Sequence, residues 1–215
     1  MVYLLEFEIS NKKILIESPL SPDDYQGSLD DVIQRYSSDD KIPFWIDVWP
    51  SAIALAEFIL ESDEFSNKKV LELGCGLGLT TVALGFKKAI ITATDYETMA
   101  LHFARRNYIK NIGNEENVKF VILDWRSPWI LKKFDFIIGA DIIYERNLFK
   151  NIVDILKDTM TIHSTCYIAD PGRPMSSEFF EILKRENFDF QIVSKREVSY
   201  RNLQTGVFIY RIKKS

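Results

Sequence analysis

Two cysteines in 215 residues, Cys75 and Cys166, are too few for a disulfide framework, and without ligand-like neighbours they do not form a zinc site. Long apolar runs are also missing. The longest, such as Phe134 to Ile143, are broken by Asp135 and Asp141 and fall far short of the roughly 20 residues that span a bilayer. The opening Met1-Val2-Tyr3-Leu4-Leu5-Glu6-Phe7-Glu8 has no basic stretch or small-residue cleavage site, so a secretory signal is not expected and a cytoplasmic location is. Positive charge is not in excess: 27 Lys and Arg stand against 31 Asp and Glu, a net charge of −4. With no global cationic field, neither nucleic acid nor a membrane surface is an expected partner. Internal repeats, low-complexity tracts and Gly/Ser linkers are absent as well.

What the chain does have is 47% hydrophobic and 27% charged residues, enough apolar surface to offset chain entropy in one globular domain. Residues 2–9 and 12–17 read as β-prone runs around the turn pair Ser10-Asn11, and a polar connection with a short helix near Leu29–Tyr36 follows. Apolar residues recur at helical spacing from Ser51 to Leu60, just after Pro50. Strands are then expected at Lys69–Leu73, Ala89–Thr94, Val118–Leu123, Phe134–Gly139 and Thr165–Ala169. Helices fall between and after them, to about Gly85 and over Thr98–Asn111, Leu148–Met160 and Ser177–Glu186. This alternation implies parallel pairing through right-handed crossovers. Phe190–Lys195 and Val207–Ile212 are joined by a loop too short for a crossover, so the last strand should run antiparallel. The expected fold is α/β: a doubly wound, mostly parallel seven-stranded sheet over residues 43–215, preceded by a hairpin-bearing extension over 1–42. Ligands of such sheets sit beyond the carboxyl ends of the strands at the switch point.

The sharpest local signal is Glu72-Leu73-Gly74-Cys75-Gly76-Leu77-Gly78-Leu79-Thr80, where a buried strand turns through three glycines into a helix. The dinucleotide pattern G-x-G-x-x-G would need glycine at position 79, which is Leu79, and no Gly-Lys-Ser/Thr follows, so NAD and ATP are disfavoured. Glu72 beside the loop suits a cationic ligand better than a pyrophosphate. Asp95, closing the next strand, can accept hydrogen bonds from the two hydroxyls of a ribose. A nucleoside with a positive centre and no phosphates is S-adenosylmethionine, and this E-L-G-x-G-x-G pattern with a following acid resembles the class I methyltransferases. Taken singly, the glycines are those of any tight turn and Asp95 that of any helix cap. Asp124-Trp125 follows the third strand, where a carboxylate or its neighbouring backbone can bond the adenine amino group while an indole covers the ring face.

Phe134–Tyr144 carries Ala140, Asp141 and Tyr144 to the carboxyl edge, where the methyl acceptor should sit. Nucleobase amino-methylating enzymes usually show D/N-P-P-Y there, and this chain has Asp141-Ile142-Ile143-Tyr144. That D-x-x-Y form, with Pro43-Phe44-Trp45-Ile46-Asp47-Val48-Trp49-Pro50 upstream, resembles the seven-stranded protein-lysine methyltransferase family from about Phe44 to the C-terminus. Ala169-Asp170-Pro171-Gly172-Arg173-Pro174 resembles a segment of its electron-transfer-flavoprotein β-subunit branch. The resemblance implies that Trp49, Gly74, Cys75, Gly76, Asp95, Trp125 and Ala140 contact the cofactor, and that Asp141 and Tyr144 border the acceptor amine. Glu72, Gly78 and Asp124 complete the expected cofactor site, with no metal.

A monomer acting on a lysine-bearing protein is the expectation. A small-molecule N-methyltransferase, a protein arginine or histidine methyltransferase, and a non-enzymatic module retaining the cofactor pocket are the alternatives, the last disfavoured by the intact glycine loop and Asp141. In the expected chemistry a neutral amine attacks the sulfonium methyl in line. A free lysine ammonium has a pKa near 10.4, so Asp141 would orient the ammonium, Tyr144 would line the channel, and the proton would leave through water. His102 and His163 fall on no expected strand tip facing the ligand.

Overall fold

The computed structural model describes residues 2–19, 44–129, 132–201 and 203–215; the helix expected near Leu29–Tyr36 lies outside them. In chain order the elements are β1 (Tyr3–Ile9), β2 (Lys12–Ser18), α1 (Pro50–Glu61), β3 (Lys69–Leu73), α2 (Leu79–Phe86), β4 (Ile90–Asp95), α3 (Thr98–Ile112) and β5 (Val118–Ile122). They continue with β6 (Phe136–Ala140), α4 (Phe149–Thr159), β7 (Thr165–Asp170), α5 (Ser176–Arg185), β8 (Phe188–Tyr200) and β9 (Leu203–Lys214). Seven strands form one sheet in the order β5-β4-β3-β6-β7-β9-β8, while β1 and β2 pair as a separate antiparallel hairpin. The order reverses between β3 and β6, which are parallel neighbours, so the switch-point crevice opens beyond Leu73 and Ala140.

Strand alternation feeds two apolar layers. Val70, Ile138 and Tyr167 join α1, α2, α3 and the hairpin on one face. Leu71, Leu73, Ile137 and Cys166 join α4 and α5 on the other. Burial on both faces is why β3, β6 and β7 read as continuous apolar runs in the sequence.

The terminal hairpin departs from expectation in length. Strand β9 lies between β7 and β8 and is antiparallel to both. Asp170 at the end of β7 pairs with Phe208, so residues 203–207 and their partners on β8 continue past the carboxyl edge as a two-stranded arm. Outside the sheet the arm keeps polar side chains on its surface, so its sequence lacks the apolar density that marks the parallel strands.

The N-terminal hairpin is held along its outer edge by two asparagines of α3. Asn107 accepts from the Glu17 N–H at 2.7 Å and donates to the Glu17 carbonyl at 3.0 Å, and Asn111 does the same for Leu15 at 2.9 and 2.8 Å. Residues four apart on a helix rise about 6 Å, close to the roughly 6.8 Å between alternate strand residues, so two amides stand in for a neighbouring strand. Asn107, fully buried, also donates to the carbonyl of Leu77 in the glycine loop at 2.9 Å. Asn107→Ala would orphan all three backbone groups at about 1–3 kcal/mol each. A fall in melting temperature of about 6 °C or more is expected in thermal unfolding; an unchanged melting temperature would refute this account of the seam.

Candidate functional site

The glycine loop leaves β3 with positive φ at Gly74, Gly76 and Gly78, at 67°, 51° and 84°. It is tied to β4: the Cys75 N–H donates to the Thr94 carbonyl at 2.9 Å, and the Gly76 N–H to Asp95 Oδ2 at 2.9 Å. Asp95 Oδ1 accepts from the Glu97 N–H at 3.0 Å, and the Tyr96 N–H also bears on this carboxylate, so backbone donors fix it beside the loop. Burial pushes the Asp95 carboxyl up, and its backbone hydrogen bonds oppose that shift. A Cβ on Gly74 would stand 3.3 Å from Ile142 and 3.4 Å from the Trp125 ring, which places that indole directly against the loop. The buried Trp125 Nε1 has no hydrogen-bond partner among the described residues.

The segment Phe44–Trp49 straps across this loop. The Trp45 carbonyl lies 3.7 Å from a Cβ built on Gly76, and the Ser18 hydroxyl donates to the Ile46 carbonyl at 2.9 Å. Asp47 pairs with Arg201 at 2.9 Å at the tip of the β8–β9 arm. Trp49 Nε1 donates to the Phe44 carbonyl at 2.8 Å. The Phe44 ring sits 5.1 Å from Tyr144 and 6.0 Å from Trp49, both edge-on. Burial pushes the Tyr144 hydroxyl up to about 12, so it stays protonated at neutral pH.

Asp141 follows β6 in the left-handed region, with φ +57°, and its N–H donates to the Ala169 carbonyl at 2.9 Å. Its carboxylate faces Arg173, whose Nη2 is 2.5 Å from Oδ1. Burial is the largest influence on this carboxyl and raises its pKa; Arg173 and the Ser51 hydroxyl pull it back down. The crevice therefore joins a carboxylate-tethered glycine loop on β3 and β4 to an ion-paired carboxylate and three aromatic rings at β6.

A family profile described as lysine methyltransferase matches residues 39–186. The chain belongs to the lysine methyltransferase family. It is 31% identical to protein N-lysine methyltransferase METTL21A of Xenopus tropicalis over 76% of this chain and 75% of that one. It is 26% identical to EEF1A lysine methyltransferase 3 of Mus musculus, covering 76% and 70%. It matches the histidine protein methyltransferase 1 homolog of Dictyostelium discoideum at 30%, but spans only 41% of that protein's length. Among solved structures, magnesium protoporphyrin IX methyltransferase from Synechocystis with bound SAM superposes with a TM-score of 0.62 at 15% identity, covering 91% of this chain and 98% of that one. At that identity the likeness establishes the fold of these methyltransferases.

Within this crevice, two expected cofactor contacts, Glu72 and Gly78, sit differently from the sequence reading, and the Asp124 carboxylate is already engaged. Glu72 does not face the crevice. It is 1% exposed and accepts from the Thr80 and Thr81 hydroxyls in the first turn of α2, the latter at 2.5 Å. Its role is to satisfy that helix start, and the Thr80-Thr81 pair is the signal that identifies it. Gly78 caps α2 and lies against α3, where a Cβ would come within 2.9 Å of Ala104, so its glycine serves helix packing. The Asp124 carboxylate is gripped by the Arg126 guanidinium at 2.8 Å and by the Arg126 N–H at 2.9 Å. Cys75 is buried, with its thiol pushed up chiefly by desolvation. No helix among the described residues is long and apolar enough to cross a membrane.

Burial pushes Glu72 up from 4.5 to about 7. Its folded pKa exceeds the unfolded one, so the native state holds a proton that the unfolded chain has released between those values, and stability falls as pH rises through this window. Glu72→Gln removes the titration. The variant should gain on the wild type by up to about 3 kcal/mol between pH about 5 and 8. Melting temperatures at both pH values check this, and parallel curves for the two proteins would refute it.

Proposed function

We propose that the protein methylates a lysine side chain of a protein substrate using S-adenosylmethionine. The observation that carries this reading is the meeting, at one switch-point crevice, of the Asp95-tethered glycine loop with Asp141 and the aromatic group Phe44, Trp49 and Tyr144. The residues fit the cofactor: Asp95 holds a carboxylate beside the loop as an acceptor for the ribose, Gly74 and Gly76 carry no side chain, and Trp125 offers an indole with an unused N–H. In this reading Trp49, Gly74, Cys75, Gly76, Asp95, Trp125 and Ala140 hold it, with the Asp124 backbone toward the adenine. When bound, the cofactor supplies an electrophilic methyl on a sulfonium.

Asp141 directs the acceptor nitrogen and Tyr144 confines the side chain, while the edge-on rings exclude water and favour a cationic guest. The amine must be neutral when it attacks, and water receives the proton of the bound ammonium. The N-terminal extension over 1–42, as a unit distinct from the 43–215 methyltransferase domain, belongs to the same proposal, with substrate choice as its role.

Thermal unfolding with S-adenosylmethionine, S-adenosylhomocysteine and NADH tests the cofactor; a ligand at 100 times its Kd stabilises by about 2.7 kcal/mol. The two adenosyl ligands should raise the melting temperature and NADH should not. Tritiated S-adenosylmethionine with a soluble extract of cells lacking the gene tests the acceptor. Label recovered as methyllysine supports the reading. Label in methylarginine, methylhistidine or a small-molecule fraction overturns it.

A further inference from the structure

Arg173 lies outside the expected site residues, yet it touches the acceptor carboxylate. Its guanidinium spans two acids: Nη2 is 2.5 Å from Asp141 Oδ1, and Nη1 is 2.9 Å from Asp170 Oδ2. Asp170 closes β7 and is fully buried; its Oδ1 accepts the Gly172 N–H at 2.8 Å, the Arg173 N–H at 3.2 Å and the Ser176 hydroxyl at 2.9 Å. Gly172, at φ +79° against the Phe208 ring, shapes the turn that brings Arg173 back over the strand ends. An incoming ammonium could claim Asp141 for itself only by displacing Arg173. That would break a charge pair with a buried carboxylate, which is strongly unfavourable. The anchored guanidinium therefore stays, and the acceptor nitrogen meets Asp141 with a fixed positive charge beside it.

We propose that Arg173 is a positioning residue that acts through Asp141: it keeps that carboxylate ionised and oriented while its charge drives the bound acceptor amine toward the neutral, nucleophilic form. The proposal rests on the lysine methylation reading above. A carboxylate alone would raise the pKa of a bound amine and oppose the reaction, and a neighbouring cation offsets this. The groups that bear on Asp141 are Arg173 and Asp170 from the β7 side and the Ser51 hydroxyl from α1. On its own loop stands Tyr144, which in turn faces Glu145 and Asp95. Arg173 supplies the positive charge of this group. In the transfer a nitrogen–carbon bond forms as the sulfur–carbon bond breaks, the electrons of that bond stay on sulfur, and the amine proton has already passed to water.

The test is the pH dependence of the initial rate at which wild type, Arg173→Gln and Arg173→Lys label the acceptor band in extract from cells lacking the gene, with extract raised until the rate saturates so that the profile reports the bound amine. Arg173→Gln should move the acid limb to higher pH by about one unit, a tenfold loss on that limb. Arg173→Lys keeps the charge without the two-pronged grip, so its limb should stay at the wild-type position while its plateau falls. Both variants should keep the thermal shift with S-adenosylmethionine. A Gln profile that coincides with the wild type, or a Lys profile displaced as far as Gln, overturns the proposal. If Arg173→Gln alone does not fold, Asp170→Asn/Arg173→Gln removes the buried charge together with its partner and should show the same displaced limb. Wild-type protein that binds the cofactor but labels no methyllysine overturns the reading and the proposal together; a labelled band with an unmoved limb overturns the proposal alone.

Discussion

Asp141→Asn is expected to lower methyl transfer by about two to four orders of magnitude, the range associated with a misdirected reacting group, while affinity for S-adenosylmethionine stays nearly unchanged. Asparagine is the informative replacement because it tolerates the left-handed backbone at φ +57° and preserves the N–H bond to the Ala169 carbonyl. A β-branched residue would add strain there and confuse misfolding with lost chemistry. Asparagine removes the negative charge opposite Arg173 and leaves that guanidinium to Asp170. Initial rates of tritium transfer and calorimetric binding of S-adenosylmethionine separate the two effects. Undiminished transfer would remove Asp141 from the acceptor site.

Asp95→Ala should do the reverse. It removes the acceptor proposed for the ribose and frees the Gly76 and Glu97 N–H groups, which shape the loop and the start of α3. Loss of one charge-assisted hydrogen bond costs about 1.5–3 kcal/mol, and the loosened loop adds to it, so the Kd for S-adenosylmethionine should rise about 100-fold or more. The turnover reached at saturating cofactor should be largely retained. Because burial already pushes the Asp95 carboxyl up, wild-type affinity should also weaken as pH falls and the carboxyl takes a proton, losing an acceptor. Calorimetric titration across pH reads both effects; an alanine variant that binds as tightly as the wild type would exclude Asp95 from the cofactor site.

The parallel strands were legible in the sequence because burial on two faces leaves little room for polar residues, and β3 begins and ends where expected. Asp95 and Asp141 were legible as strand-end positions: Asp95 closes β4 and Asp141 follows β6. Glu72 was misread because its position beside the loop says nothing about the direction of its side chain; the strand's alternation turns it under α2. The glycines could not be sorted by spacing alone: Gly76 lies under the strap at Trp45, while Gly78 answers to Ala104, a residue 26 positions further on. The roles of Arg173, read only as part of the Ala169–Pro174 segment, and of Asn107 were not legible for the same reason. Their partners, Asp141 and the Glu17 backbone, come together only when distant segments of the chain converge. Two asparagines inside a helix, where amides are poor formers, were the available hint of the second case.

The asparagine seam also sets an order of events during synthesis. Glu17 leaves the ribosome 90 residues before Asn107. At about 5–20 residues per second, β1 and β2 therefore wait roughly 5–20 s with an open strand edge before their partner exists. Lys12 and Lys13 at the start of β2 are the kind of charge that discourages a stray chain from pairing with such an edge during that interval. The N-terminus is thus made first and completed late, with its docking on α3 closing the seam against the glycine loop through Asn107.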